Sequence, residues 1–134
     1  SFFDPSSFEY VEDPFDKVED LKDFTHPFAV DRLTKEYETL LDFPLFKTVI
    51  FKPTLRGGLF EASNIFNWCK RHQKEFVLSS CFETACGLFH IARLFLYLNP
   101  QGPAVGIGTY DRLGCSSFIP TEKGLLIKNP LWQL

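Results

Sequence analysis

Four places in this sequence put a charged or hydroxylated side chain at the end of an apolar run: Glu12, Asp31, Lys52, and Ser79 with Ser80. The intervals between them, 19, 21 and 27 residues, are close to one strand-plus-helix step of an α/β barrel. Two neighbouring carboxylates suit a hard divalent cation, and an ammonium group nearby suits an anionic intermediate or a proton transfer. Each residue alone could be a solvated strand end. Together they predict side chains that meet around one metal ion.

The segment Ser79, Ser80 and Cys81 precedes a predicted helix and offers hydroxyls and backbone amides. Helix N-termini bind anions, so a substrate carboxylate could be held there. Ser80 with Glu83 three residues later also has the S-x-x-E pattern of a capping box, which predicts Ser80 as the N-cap. The two interpretations are compatible, because a cap leaves other amide donors free.

The elements that would position these residues alternate along the chain. Aromatic and β-branched runs predict strands over 8–12, 27–31, 46–52, 75–80 and 105–109, with a further strand over 125–128 that has no predicted place. Apolar residues at helical spacing predict helices over 17–24, 59–73 and 84–98, and a weak helix or turn over 35–41. This alternation predicts a parallel sheet, open or closed as a barrel, with its chemistry at the carboxyl ends of the strands.

Composition limits the classes of protein. A chain of 134 residues with 45% hydrophobic residues and 16 Phe predicts one globular domain, and its apolar runs are too short to cross a membrane. The net charge of -3 argues against nucleic acid or an anionic membrane as partner and favours small molecules or proteins. The N-terminus has no signal-peptide pattern and the sequence has no Met, so we expect a cytoplasmic protein and a piece of a longer chain.

The four cysteines have neither zinc-finger nor C-x-x-C spacing, which favours reduced thiols. Cys69 and Cys86 lie on the apolar stripes of two predicted helices, so both are expected to be buried.

The chain resembles the C-terminal half of the barrel of the o-succinylbenzoate synthases, which belong to the enolase superfamily. The resemblance is carried by YVEDP at 10–14, AVD at 29–31, VIFKPTLRGG at 49–58 and VLSSCFETACGL at 77–88. It implies an α/β fold that comprises about strands four to eight of a TIM-type (β/α) barrel, with residues 1–134 as a single partial domain. The family's N-terminal capping domain, strand-two lysines and first metal-binding Asp have no counterpart here, so the remaining part of the barrel is the expected partner.

The resemblance also implies a role for each site residue. Glu12 and Asp31 would bind Mg²⁺, or Mn²⁺ in its place, and Lys52 would be the catalytic lysine that faces the reacting ring. The implied substrate-binding positions are Ser79, Ser80, Cys81, Gly106 and Thr109.

The activity that the resemblance implies is dehydration of the small anionic substrate 2-succinyl-6-hydroxy-2,4-cyclohexadiene-1-carboxylate to o-succinylbenzoate, a step of menaquinone biosynthesis. This activity is expected of the complete enzyme and not of the 134 residues alone. An alternative within the superfamily is an N-succinylamino acid racemase or dipeptide epimerase, in which Lys52 exchanges a proton as one of two bases. An alternative of another class is a non-catalytic half-barrel that binds a partner.

Overall fold

A four-stranded parallel sheet, in the order β1-β2-β3-β4, is the centre of the fold. The computed structural model describes residues 7–32, 37–99, 101–111, 118–121 and 124–127, and beyond residue 109 it describes the backbone alone. The strands are β1 (Val11–Glu12), β2 (Phe28–Val30), β3 (Phe46–Phe51) and β4 (Glu75–Leu78). Each strand pairs in parallel with the next one along the chain. The carboxyl ends of all four strands therefore lie at one edge of the sheet.

Two α-helices follow the last two strands: α1 (Gly58–Arg71) after β3 and α2 (Ala85–Leu98) after β4. The connections after β1 and β2 contain short 3-10 helices over Val18–Asp23 and Tyr37–Asp42. The chain thus has an α/β fold with a parallel sheet, the arrangement of part of a (β/α) barrel, as the sequence predicted. The two short helical segments were also predicted, although their 3-10 geometry was not.

The two faces of the sheet carry different clusters of side chains. One face packs against the helices and forms the main core, in which every second strand residue is buried with residues of α1 and α2: Phe28, Val30, Val49, Phe51, Phe76, Leu78, Ala62, Ile65, Leu88 and Ile91. The opposite face carries a smaller cluster of Ala29, Ile50 and Val77, with Tyr10 packed against it. In a closed barrel this second face would be the interior.

The clusters explain where the predicted site residues lie. Side chains of a strand alternate between faces, so residues two apart share a face. Glu12, Asp31, Lys52 and Ser79 each lie two residues beyond a member of the smaller cluster. On this second face of the sheet, the small apolar cluster is therefore followed, at the carboxyl ends of the strands, by a row of polar side chains.

Two expectations about strands were only partly met. The first strand is limited to Val11–Glu12. The strand predicted over 105–109 is a single parallel bridge between Ser79 and Gly106, because the chain turns into a 3-10 helix at Gly108–Asp111. The last predicted strand is β6 (Gly124–Ile127), which pairs in antiparallel fashion with an unpredicted strand, β5 (Phe118–Thr121).

The three cysteines among the described residues are free thiols. Cys69 is buried as predicted, and burial raises the pKa of its thiol to about 12. Cys86 is exposed, so the prediction that it is buried was wrong. The buried stripe of α2 runs through Leu88 and Ile91, and Cys86 lies two residues before Leu88, on the other side of the helix.

Within the described ranges, no helix has both the length and the apolar character that crossing a bilayer requires.

Candidate functional site

The carboxyl edge of the sheet brings three predicted charged residues together. Glu12 ends β1, Asp31 follows β2 and Lys52 follows β3. The amide of Asp13 donates to the carbonyl of Ala29 at 2.9 Å, which holds the end of β1 against β2. The convergence that the sequence predicted follows from this parallel pairing.

Lys52 and Asp31 form an ion pair in which the ammonium group hydrogen-bonds to Oδ2 of the carboxylate. Their side chains are only 21% and 16% exposed, so solvent screens the pair less than it would screen a surface pair. Burial lowers the pKa of Lys52, but the hydrogen bond and charge of Asp31, together with the charge of Glu12, outweigh it and raise the pKa above its usual value. Lys52 is therefore a persistent cation at neutral pH.

Glu12 completes a cluster of carboxylates. One oxygen each from Glu12, Asp13 and Asp31 lie within 4.8 Å of one another. Burial raises the pKa of Glu12, and the charge of Asp31 raises it further, while Lys52 partly lowers it. The charge of Asp31 thus disfavours the ionised form of Glu12, and a bound cation would relieve that repulsion.

The donor set fits a hard divalent ion. Carboxylate oxygens are the ligands that Mg²⁺ and Mn²⁺ prefer, and Mg²⁺ is commonly held by one or two carboxylates with its other positions open. Glu12 and Asp31 would hold the ion, because Lys52 engages Oδ2 of Asp31 and leaves the other oxygen for it. Both carboxylates are those that the sequence predicted as metal ligands, and that role stays a prediction.

Asp13 has a role that sequence reasoning did not assign. Its Oδ1 accepts a hydrogen bond from the amide of Asp31 at 3.0 Å, and its Oδ2 accepts from the amide and from Nε of Arg32, both at 3.2 Å. Its backbone is left-handed, with φ of 42°. Both oxygens are therefore engaged by the segment after β2, and Asp13 fastens the ends of β1 and β2 together. An Asp directly before Pro14 is typical of such a turn and was the signal available in the sequence.

The segment after β4 differs from the predicted amide cradle. The amide of Ser79 donates to Phe51 O at 2.9 Å, that of Ser80 to Gly106 O at 2.8 Å and that of Cys81 to the Glu83 carboxylate at 2.5 Å. These three amides are all used within the protein. The Ser79 hydroxyl lies within long hydrogen-bond distance of two carbonyl oxygens, Gly106 O at 3.4 Å and Ser80 O at 3.5 Å, and a ligand at this segment would have to replace these contacts.

The two serines occupy different environments. Ser79, on the same face of the sheet as Lys52, is partly exposed, while Ser80 is buried and its hydroxyl hydrogen-bonds to that of Thr109 at 2.8 Å. A Cβ atom on Gly106 would lie 2.9 Å from Ser79 Oγ, so glycine allows the close approach of the two segments. Of the five predicted substrate-binding residues, Gly106 is exposed, Ser79, Cys81 and Thr109 are half-buried, and Ser80 is buried.

The prediction of Ser80 as N-cap of α2 was wrong. Thr84 is the N-cap, and its hydroxyl accepts from the amide of Gly87 at 3.4 Å. Glu83 instead turns toward the loop after β3, where its carboxylate accepts a hydrogen bond from the hydroxyl of Thr54. The capping-box pattern failed because Glu83 finds a tertiary partner that local sequence does not show.

Comparison with known proteins adds one distant similarity. Protein PHYLLO, chloroplastic, from Arabidopsis thaliana is 28% identical over 127 residues, a match that covers 76% of this chain and 7% of that protein. This chain thus spans a small part of the length of that curated relative. No family model matches the chain.

Proposed function

We propose that this edge of the sheet is part of the active site of a divalent-metal-dependent lyase of the enolase superfamily, which dehydrates 2-succinyl-6-hydroxy-2,4-cyclohexadiene-1-carboxylate to o-succinylbenzoate in menaquinone biosynthesis. The observation that carries the proposal is the juxtaposition of Glu12, Asp31 and Lys52. Carboxylates from two neighbouring strands lie close enough to share an ion, and an ammonium group contacts one of them. The resemblance of the surrounding motifs to o-succinylbenzoate synthases supports the same assignment.

The chemistry requires stabilisation of negative charge. Loss of the proton next to the substrate carboxylate makes an enediolate, the hydroxyl group leaves as water, and the ring becomes aromatic. A divalent cation, when bound, stabilises the doubly charged carboxylate group. Glu12 and Asp31 would hold the cation, and Lys52 would face the ring as a second positive charge. Ser79 would donate its hydroxyl to the succinyl carboxylate.

The charge state of Lys52 bears on the choice between the enzymes of this superfamily. A racemase or epimerase needs this lysine to exchange a proton, whereas the dehydratase uses it as a cation. The ammonium form that contacts Asp31 is the form that the dehydratase requires, and it is also the form from which a racemase would donate a proton, so a deuterium-exchange experiment decides between them. The base that removes the proton would come from the remaining part of the barrel.

The test uses the complete enzyme with Mg²⁺ and each substrate in D₂O. Dehydration without deuterium at the α-carbon of N-succinylamino acids or dipeptides supports the proposal, whereas deuterium uptake with turnover in both directions supports the racemase or epimerase. No turnover of any of these substrates would favour a non-catalytic half-barrel.

Variants of the three charged residues sharpen the test. Glu12→Gln and Asp31→Asn each remove an anionic ligand, so we expect weaker Mg²⁺ binding and turnover reduced at least about a hundredfold. Lys52→Ala should leave Mg²⁺ binding in place and lower turnover. Glu9→Gln is the matched control, since Glu9 is 69% exposed and pairs with Lys47 instead. Full activity in the Glu12 or Asp31 variant would contradict the proposed roles.

A cytoplasmic location remains a prediction. The relative PHYLLO carries the word chloroplastic in its name.

A further inference from the structure

Glu83 is a buried carboxylate that the proposed chemistry does not use. It is only 8% exposed, and both of its oxygens are engaged. Oε1 accepts from the hydroxyl of Thr54, and Oε2 accepts from the amide of Cys81 at 2.5 Å. Among the described residues, none of the ion pairs includes Glu83. Glu83 therefore connects a hydroxyl and a backbone amide from two different loops and is fully hydrogen-bonded in doing so.

The surrounding backbone is shaped for this side chain. Phe82, the residue before Glu83, has a left-handed φ of 53°, a conformation that costs a non-glycine residue about 1 kcal/mol. A Cβ atom on Gly87 would lie 2.7 Å from the Cβ of Glu83. Glycine within a helix is unfavourable, by about 1 kcal/mol relative to Ala. The chain thus accepts two local costs at the place where Glu83 is buried.

The two partners of Glu83 belong to the segments that carry the site. Thr54 lies two residues after Lys52, and Cys81 follows the two serines. Regular pairing between β3 and β4 ends at Phe51 with Leu78, and the last backbone bond joins Ser79 N to Phe51 O. Beyond that bond, Glu83 connects the two loops through its hydrogen bonds to Thr54 and to the amide of Cys81.

We propose that Glu83 is a positioning residue that, through Thr54, sets the distance between the Lys52 ammonium and the Ser79 hydroxyl. This inference rests on the proposed function, because it concerns how the cation and the hydroxyl donor of that site are held relative to one anionic substrate. Small displacements of such groups lower rates strongly, by up to about a hundredfold for roughly 1 Å.

The experiment compares Thr54→Val, Thr54→Ser and Glu83→Met in the complete enzyme. Thr54 is exposed, so Thr54→Val should fold even if the Glu83 variant does not. We expect Thr54→Val to lower kcat about tenfold or more, Thr54→Ser to restore it, and the Mg²⁺ dependence to stay unchanged. Glu83→Met should give a similar loss, and the double variant should lose no more than either single variant, because both remove the same bridge between Glu83 and Thr54. Ser63→Ala is the control, since its hydroxyl bonds only within α1.

A second measurement is independent of activity. Amide hydrogen exchange of Cys81 in the complete enzyme should speed up in Glu83→Met, which lacks the acceptor, and also in Thr54→Val, in which the Glu83 carboxylate loses its hydroxyl partner. Failure of the wild-type enzyme to turn over the substrate would reject the proposed function while leaving this exchange result to stand. The positioning role alone would be rejected if the wild type is active and Thr54→Val leaves kcat and KM unchanged. Additive losses in the double variant would also reject it.

Discussion

Replacement of Asp13 tests whether a single side chain fastens β1 to β2. The Asp13 side chain is 13% exposed, and it accepts hydrogen bonds from the amides of Asp31 and Arg32 and from Nε of Arg32. Strand β1 has only two residues and pairs with β2 alone. The carboxylate therefore supplies a large part of what holds Glu12 next to Asp31.

The expected loss for Asp13→Ala can be worked out from these contacts. A hydrogen bond from the partly buried amide of Asp31 to a charged acceptor contributes about 1.5 to 3 kcal/mol. The Arg32 side chain is 60% exposed, so its ion pair adds no more than about 0.5 kcal/mol. Ala in the left-handed conformation at φ of 42° costs about a further 1 kcal/mol. We expect Asp13→Ala to lower the free energy of unfolding by about 2.5 to 4.5 kcal/mol.

Two companion variants separate these contributions. Asp13→Gly removes the carboxylate but relieves the backbone strain, so it should be about 1 kcal/mol less destabilising than Asp13→Ala. Asp13→Asn keeps one acceptor for the amide of Asp31 and should lose about 1 kcal/mol. Asp16→Asn is the control, because Asp16 is 90% exposed and contacts only the Arg32 side chain, at 3.6 Å.

The assay is urea denaturation followed by the fluorescence of the buried Trp68, together with amide exchange at Asp31. Exchange at Asp31 should become faster in Asp13→Ala and remain slow in Asp16→Asn. If Asp13→Ala and Asp16→Asn unfold at the same urea concentration, the carboxylate does not hold the two strands and the reasoning is refuted.

Two further predictions concern local structure. Gly57→Ala should lower the free energy of unfolding by about 1 to 2 kcal/mol, because Gly57 has φ of 101° and a Cβ there would lie 3.0 Å from Glu61 Cβ. The assay is urea denaturation, and the control is Gly108→Ala, whose added Cβ would meet nothing within 4 Å. Equal stabilities of the two variants would contradict the argument. Iodoacetamide at pH 8 should leave Cys69 unmodified in the folded chain, because burial raises its thiol pKa to about 12. The exposed Cys86 should react. Mass mapping that shows equal alkylation of both cysteines would contradict this prediction.

The α/β fold could be predicted because its signals are local. The apolar stripe through Ala62, Ile65 and Cys69 has the helical period, and the run over 46–52 has the length of a buried strand. Helices and strands in alternation leave few topologies other than a parallel sheet. The convergence of Glu12, Asp31 and Lys52 follows from that topology, since parallel strands place their carboxyl ends at one edge.

The sequence by itself thus determined the order of the elements, the parallel sheet and the strand-end residues that meet at its edge, because the periodicity of side chains in helices and strands is written in short stretches of chain. Only the tertiary structure decided the partners of Asp13 and Glu83, the use of the amides of Ser79 and Ser80, and the reduction of the strand over 105–109 to one bridge. The physical reason is that each of these depends on which distant loop lies within about 3 Å of a polar group, and a hydrogen bond at that range carries no periodic signal in the sequence.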